Sequence, residues 1–328
     1  MLFLQHPIDI PEDKIVDLAW ESNGQVAPQT MSRWADTAVS GTKVYFLPGA
    51  TYARNILAYQ ATNGSWSEFR SSPHTNCSLT VIKDTLTTIG GGGFPYTNKV
   101  YSFSSEGRCG LWMESLIPPM TTRRQWTAVL HTGMYVIVAG GWGSANEALA
   151  AVEVLNIETQ KWHGAEKLPE PLYHASMTLC GGHVFILGGY DELKKPTRVV
   201  YTCSLTALLE SDGIYDVNDP LKHQSAFASS KVWKRVTDLP VTESTAVSLY
   251  DQLLAIGGRD YELISTSAVY KYSFVNNSWD IISHMLTPRH LCFAAVIPDN
   301  RVLVVGGESG RIAIDSVEVG TSSIIELL

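Results

Sequence analysis

A glycine pair that ends a strand-like apolar run recurs along this chain of 328 residues, as in YVIVAGGW at residues 135–142. A degenerate copy, VYFLPGATY, in which Pro-Gly replaces the glycine pair, spans residues 44–52. The second glycines of the clear copies are Gly91, Gly141, Gly189, Gly258 and Gly307. Successive pairs are therefore 50, 48, 69 and 49 residues apart. A period near 50 residues indicates an array of similar units, one of them expanded.

A tryptophan follows the glycine pair at a fixed distance. Trp112, Trp162 and Trp279 each lie 21 residues after the second glycine of their unit, whereas Trp233 comes later because extra residues interrupt the fourth unit. A strand-like segment such as AVEVLNIETQKW separates the pair from the tryptophan. A turn bearing Pro or Met and a strand of small apolar residues come next. Each unit therefore predicts four strands, a to d, joined by tight turns.

These units resemble kelch repeats, the four-stranded blades of a β-propeller, and the resemblance covers nearly the whole chain in six units. It implies an all-β fold, a six-bladed kelch β-propeller that forms one domain over residues 1–328. The glycine pairs would let neighbouring backbone approach closely, and the tryptophans would fill the wedges between sheets. The residues with these structural roles are Gly90, Gly91, Gly140, Gly141, Gly188, Gly189, Gly257, Gly258, Gly306, Gly307, Trp20, Trp66, Trp112, Trp162, Trp233 and Trp279.

The spacing also predicts the blade boundaries and how the ring closes. The expected blade cores are 33–69, 75–115, 124–165, 174–236, 244–282, and 290–320 together with 14–21. Trp20 lies 29 residues before Gly49, as Trp112 lies 29 before Gly141. We therefore expect the segment 14–21 to supply strand d of blade 6 beside residues 316–319. The alternative is closure by SSIIELL at the carboxyl end.

The extra residues 204–231 are predicted to lie between strands c and d of blade 4, on the bottom face. Helix-favouring residues after Ser204, a residue suited to capping, indicate that this insertion begins with a short helix. A tolerated loop is the simpler interpretation of the rest.

Composition and charge exclude several classes of partner. The net charge of −8 is not accompanied by a basic patch, so neither nucleic acid nor an anionic membrane surface is expected as a partner. No run approaches the ~18 apolar residues of a membrane span. The five cysteines are scattered without a CxxC pair, which favours free thiols in a reducing compartment. With no secretory features at the amino end, we expect a cytoplasmic protein.

Catalytic patterns are weak. His174 and His290 fall in equivalent d–a turns and could share a central mouth, and Glu166, Glu170 and His174 approach a loose iron-binding pattern. No nucleophile elbow or local Ser/His/Asp arrangement is present. No catalytic residue, metal ligand or cofactor is therefore predicted. The alternatives that stay open are a kelch-type enzyme in the central mouth, namely a metal oxidase or sugar mutarotase, and an actin-binding scaffold.

The turns of the top face, b–c and d–a, are rich in aromatic residues and arginine, as protein interfaces are. The main hypothesis is thus a non-catalytic module that binds a protein loop or peptide there. The predicted partner-binding residues are Arg33, Tyr96, Arg123, Arg124, Trp142, Tyr173, His174, Tyr190, Arg259, Tyr261, Arg289, His290 and Glu308.

The resemblance also suggests the character of the ligand. BTB-linked kelch proteins receive acidic segments at arginine-lined mouths, so Arg123, Arg124, Arg259 and Arg289 are expected to attract an acidic peptide. The chain carries no recognisable BTB or BACK region. A substrate adaptor, a free-standing scaffold and any oligomeric state therefore all stay open.

Overall fold

Six four-stranded antiparallel sheets dominate the computed structural model of the chain, which describes residues 15–28, 36–48, 54–93, 96–104, 110–211 and 232–325. The strands up to residue 165 are β1 (Ile15–Val26), β2 (Asp36–Ser40), β3 (Lys43–Leu47), β4 (Asn55–Gln60), β5 (Ser65–Ser71), β6 (Ser78–Ile82), β7 (Thr85–Ile89), β8 (Val100–Ser104), β9 (Leu111–Glu114), β10 (Arg124–Gln125), β11 (Ala128–Thr132), β12 (Tyr135–Ala139), β13 (Trp142–Gly143), β14 (Val152–Asn156) and β15 (Lys161–Ala165).

The remaining elements include one short α-helix and a 3-10 turn at Pro298–Asn300. They are β16 (Ser176–Cys180), β17 (His183–Leu187), β18 (Val200–Ser204), α1 (Leu205–Glu210), β19 (Lys234–Arg235), β20 (Thr245–Leu249), β21 (Gln252–Ile256), β22 (Ala268–Ser273), β23 (Ser278–His284), β24 (Phe293–Ile297), β25 (Arg301–Val305), β26 (Glu308–Ser309), β27 (Ile312–Ala313) and β28 (Ser316–Ile325).

The six sheets are blades arranged in a ring. In chain order they are β2–β5, β6–β9, β11/β12/β14/β15, β16–β19, β20–β23 and β24/β25/β28/β1. The first strand of each blade contacts the first strand of the next, in the closed sequence β2, β6, β11, β16, β20, β24 and back to β2. Strand a is therefore innermost in every blade, and the predicted six-bladed β-propeller is confirmed.

The ring is closed by the amino-terminal strand, as the position of Trp20 predicted. β1 pairs antiparallel with β28, so that Trp20 lies opposite Gly320, and β28 pairs in turn with β25. The alternative closure is wrong because the carboxyl-terminal residues continue strand c as far as Ile325 rather than forming strand d. The outer edge of blade 6 is thus covered by a strand from the opposite end of the chain.

The six structural tryptophans lie between blades. Each packs in an apolar cluster that joins its own blade to the preceding one. Four indole N–H groups also donate to the preceding blade or the turn that follows it: Trp20 to Ser283 Oγ (3.1 Å), Trp162 to Pro118 O (2.8 Å), Trp233 to Glu166 O (2.9 Å) and Trp279 to Thr237 O (3.2 Å). All six tryptophans therefore link consecutive sheets by packing, and four of them also do so by a hydrogen bond.

The second glycine of a pair lies where the backbone of the d–a turn approaches. At Gly189 the φ angle is +84°, and a β-carbon would lie 2.7 Å from Tyr173 O and 2.9 Å from the backbone of Ala175. Both the left-handed backbone and the short distance exclude a side chain here.

The insertion begins as predicted. The side chain of Ser204 accepts a hydrogen bond from the Ala207 N–H at the start of α1, and Leu208 is buried against blades 3 and 4. Residues 212–231 lie outside the described part of the chain.

Candidate functional site

Five equivalent residues surround the centre of the top face. Each lies two positions before strand a of its blade and has a φ angle between +52° and +58°. We call them the belt: Asn76, Trp126, His174, Glu243 and Leu291. Of these residue types, only asparagine and histidine are enriched in left-handed backbone. The other three are held there by the fold.

Backbone hydrogen bonds run from blade to blade along the belt. Trp126 N donates to Asn76 O at 3.3 Å, His174 N to Trp126 O at 3.0 Å, and Leu291 N to Glu243 O at 2.9 Å. A left-handed residue other than glycine costs about 1–2 kcal/mol, which these bonds offset. The backbone is thus the same at each position while the side chain changes from amide to indole, imidazole, carboxylate and aliphatic.

The belt lines a central cavity of about 260 Å³. Asp36, Tyr190 and the first residues of the innermost strands complete its wall. Asp36 accepts hydrogen bonds from the backbone N–H groups of Thr37 (2.7 Å) and Leu79 (2.9 Å). Burial nevertheless raises its pKa to about 6. Among the described residues that form the wall, none is a lysine or an arginine.

An aromatic cluster occupies one side of this mouth. Its members are Tyr96, Trp126, Trp142, Tyr173, His174 and Tyr190. Ring centroids are 4.8 Å apart for Trp126 and His174 and 4.9 Å apart for Trp142 and Tyr173. Desolvation holds the pKa of His174 well below its ordinary value, so its ring is neutral at pH 7. The structure thus brings together five of the predicted binding residues.

A second, charged cluster adjoins the aromatic one through Glu243. Glu243 Oε1 accepts a hydrogen bond from the Tyr190 hydroxyl, while Oε2 lies 3.4 Å from Arg259 Nε and 4.0 Å from His290 Nε2. Glu308 Oε2 is 3.7 Å from the same imidazole nitrogen. Burial, and then the charge of Arg259, lowers the pKa of His290. Three more predicted residues, Arg259, His290 and Glu308, therefore belong to this cluster.

The expected cluster of four arginines is wrong. Arg124 and Arg289 are fully buried and form ion pairs with Glu153 (2.5 Å) and Glu318, respectively. Burial of a guanidinium requires such a partner. Since neither side chain reaches solvent, neither can meet a ligand on the top face.

The other predicted residues have separate environments. Arg123 is exposed, and Tyr261 is 80% exposed with the Arg198 guanidinium 3.4 Å from its ring centroid. Arg33 lies outside the described residues.

Asp36, Trp126 and Glu243, which line the cavity, were not among the predicted binding residues. Trp126 and Glu243 share a position two residues before strand a, which was a usable signal that their differing chemistry concealed, whereas Asp36 is the first residue of its strand.

Two negative findings apply to the described ranges only. No group of three or more His, Cys, Asp or Glu side chains there is arranged to hold a metal ion. No helix in those ranges has the length and apolar character needed to cross a membrane.

The comparisons with known proteins agree with the fold. A family model described as Kelch motif matches residues 240–286. Human Kelch-like protein 23 is 30% identical over 229 residues, which cover 61% of this chain and 39% of the relative. Kelch-like protein 36 of Bos taurus is 26% identical, with 66% and 32% covered. The chain therefore spans less than half the length of these relatives.

A viral relative and a solved structure extend the comparison. Kelch repeat protein M-T8 of Myxoma virus is 23% identical over 50% of this chain and 38% of its own length. The solved structure of YjhT superposes with a TM-score of 0.68 over 89% of this chain and 95% of that one, at 13% identity. At that identity the likeness shows the fold alone.

Proposed function

We propose that this chain, which belongs to the kelch-repeat β-propellers, is a non-catalytic interaction module that binds a protein partner on its top face. The observation that carries the proposal is a set of exposed apolar side chains on the b–c loops of blades 4, 5 and 6. These are Leu193, Tyr261, Leu263, Ile264 and Ile312, which are 57–80% exposed.

The position of these side chains favours a partner over chance exposure. Single exposed apolar residues are ordinary on protein surfaces, whereas groups of them mark interaction sites. The three loops belong to consecutive blades. Each loop begins beside a d–a turn that leads to the central cavity, through the backbone pairs Tyr173–Tyr190, Thr242–Arg259 and His290–Glu308. A partner that covers the apolar tips would therefore also lie over the mouth.

The acidic ligand expected from the four arginines has little support. Arg124 and Arg289 are inaccessible, and Arg259 Nη2 donates to Gly310 O at 3.1 Å while its Nε faces Glu243. Only Arg123 is left as a free-standing surface charge of that set. The proposal therefore rests on apolar contact rather than on attraction of an acidic peptide.

The proposal is tested by affinity capture with two matched variants. One carries Leu193→Asp, Leu263→Asp and Ile312→Asp on the top face. The other carries Met134→Asp and Val275→Asp, which change exposed apolar residues of an a–b turn and a c–d turn on the bottom face. We expect a partner to be retained by the wild type and the bottom-face variant and lost by the top-face variant. Equal retention by all three would exclude the top face as the binding surface.

A cytoplasmic location is part of the same proposal. The four cysteines in the described ranges, Cys77, Cys180, Cys203 and Cys292, are buried free thiols, which suits a reducing compartment. Fractionation of cells that express the chain tests this expectation.

A further inference from the structure

The central cavity has an acidic wall. The acidic side chains among its described wall residues are Asp36 and Glu243, and the imidazole of His174, which also lines the cavity, is neutral. Among the described residues, Arg259 forms an ion pair with Glu243, its Nε lying 3.4 Å from Glu243 Oε2, but it does not line the cavity, and it leaves one of the two carboxylates without a countercharge. The field inside the cavity therefore favours a positively charged group.

Two buried polar atoms of the wall have no hydrogen-bond partner among the described residues. They are Glu243 Oε2, on a side chain that is 7% exposed, and the indole Nε1 of Trp126. A buried polar atom without a partner carries an unfavourable desolvation free energy. An occupant that donates to Glu243 and accepts from Trp126 would remove both costs at once.

We propose that the central cavity receives one basic side chain, an arginine or a lysine, from the partner. The ammonium or guanidinium group donates to Glu243 Oε2 of blade 5 and faces Asp36 of blade 1. The indole of Trp126 contributes a cation–π contact. Its N–H is satisfied by a carbonyl group of the segment that carries the basic residue. This inference rests on the proposed function, because it names what the top-face partner inserts.

The size and belt chemistry restrict the occupant further. Cavities for drug-sized molecules span about 300–1,000 Å³, so 260 Å³ suits a single long side chain. An acidic side chain would lie against two carboxylates, and none of the wall residues that the structure describes is a lysine or an arginine that could offset them. The belt residues differ in side chain at a constant backbone, so they are the positions that determine which side chain enters.

The test uses the purified chain of 328 residues and small probes that isolate one side chain. N-acetyl-arginine-N-methylamide and N-acetyl-lysine-N-methylamide carry the charge, N-acetyl-citrulline-N-methylamide replaces the guanidinium by a neutral urea of similar shape, and N-acetyl-glutamate-N-methylamide reverses the sign. Binding is followed by the ¹⁵N–¹H signal of the Trp126 indole, which Trp126→Phe identifies. We expect the two basic amides to shift this signal in the millimolar range and the other two to bind at least about tenfold more weakly, a difference of about 1.4 kcal/mol.

Matched variants then locate the charge that matters. Glu243→Gln is expected to weaken binding of the arginine amide about tenfold, and Asp36→Asn is expected to weaken it as well. Glu308→Gln removes a carboxylate that lies beside the imidazole of His290 and outside the cavity wall, so it should leave binding within about twofold. The comparison of arginine with citrulline in the wild type stands even if a variant fails to fold.

The outcomes separate this inference from the proposed function. Equal binding of arginine, citrulline and glutamate amides, or no shift with any of them, overturns the basic-side-chain proposal. The same is true if Glu243→Gln binds the arginine amide as the wild type does. If the basic amides fail but the top-face variant still loses its partner, the proposed function stands without this occupant. If the basic amides bind selectively and all three forms capture the partner equally, the cavity assignment stands and the top-face function fails.

Discussion

The side chain of Arg289 reaches from the d–a turn into the sixth blade. Its guanidinium donates to Gly306 O at 3.0 Å, to Ser316 Oγ at 2.9 Å and to the carboxylate of Glu318. Glu318 accepts in turn from the backbone N–H groups of Leu286 (2.7 Å) and Thr287 (3.0 Å). The pair therefore ties the d–a turn to strand c. Arg124 and Glu153 repeat the arrangement in blade 3, three blades away in a ring of six.

A first prediction contrasts two adjacent arginines. Arg124→Met leaves the buried Glu153 carboxylate without its countercharge, so we expect it to lower the free energy of unfolding by about 3–5 kcal/mol. Arg123→Met alters an exposed side chain and should change the free energy of unfolding by less than about 0.5 kcal/mol. Urea unfolding of both variants is the measurement. Similar losses from the two would contradict a structural role confined to Arg124.

A second prediction concerns Asp36. Because burial raises its pKa from 3.8 to about 6 in the folded state, the folded chain binds a proton that the unfolded chain has released between those values. The contribution of Asp36 to stability therefore falls as pH rises through that window. We expect Asp36→Asn to change the free energy of unfolding, relative to wild type, in a pH-dependent way. The change should be more stabilising at pH 7.5 than at pH 4 by about 1 kcal/mol or more. Unfolding free energies at the two pH values test this, and an equal difference at both would show that Asp36 titrates normally.

At the scale of the element, regular spacing was the informative part of the sequence. The recurring tryptophans and glycine pairs predicted the propeller and the closing strand because packing between blades imposes one geometry on every unit. The left-handed backbone of the belt could not be predicted from residue type, since Trp126, Glu243 and Leu291 are not residue types that favour it. The buried ion pairs did leave a signal, because Glu153 and Glu318 each lie 29 residues after their arginine.

A third prediction separates two effects of glycine in blade 4. Gly182 and Gly189 both have left-handed backbone, with φ angles of +72° and +84°. A β-carbon at Gly182 meets open space, so Gly182→Ala should cost about 1–2 kcal/mol from backbone strain alone. At Gly189 the β-carbon would also clash with Tyr173 O. We therefore expect Gly189→Ala to lower the free energy of unfolding by about 1–3 kcal/mol more than Gly182→Ala does. Thermal and urea unfolding of the two variants measure the difference, and equal losses would show that close approach does not matter at Gly189.

The whole molecule depends on a single seam, where strands from the two ends of the chain meet. Every other blade is built from consecutive residues, so only blade 6 needs β1 to cover the edge of β28. Leu18 and Trp20 of β1 pack in the cluster that joins blades 5 and 6. Loss of β1 would therefore expose a long strand edge and remove apolar contacts from two blades at once.

A fourth prediction tests this seam directly. A chain that begins at residue 27 is expected to melt at a lower temperature and to self-associate through the free edge of β28. A synthetic peptide of residues 15–26 should restore the melting temperature by adding the missing strand, as strand addition to an open sheet edge does elsewhere. The same peptide with Trp20→Ala should restore it less, because the indole that donates to Ser283 and packs in the seam is missing. A shortened chain that melts as the full chain does would mean that the ring is held by its other interblade contacts without the amino-terminal strand.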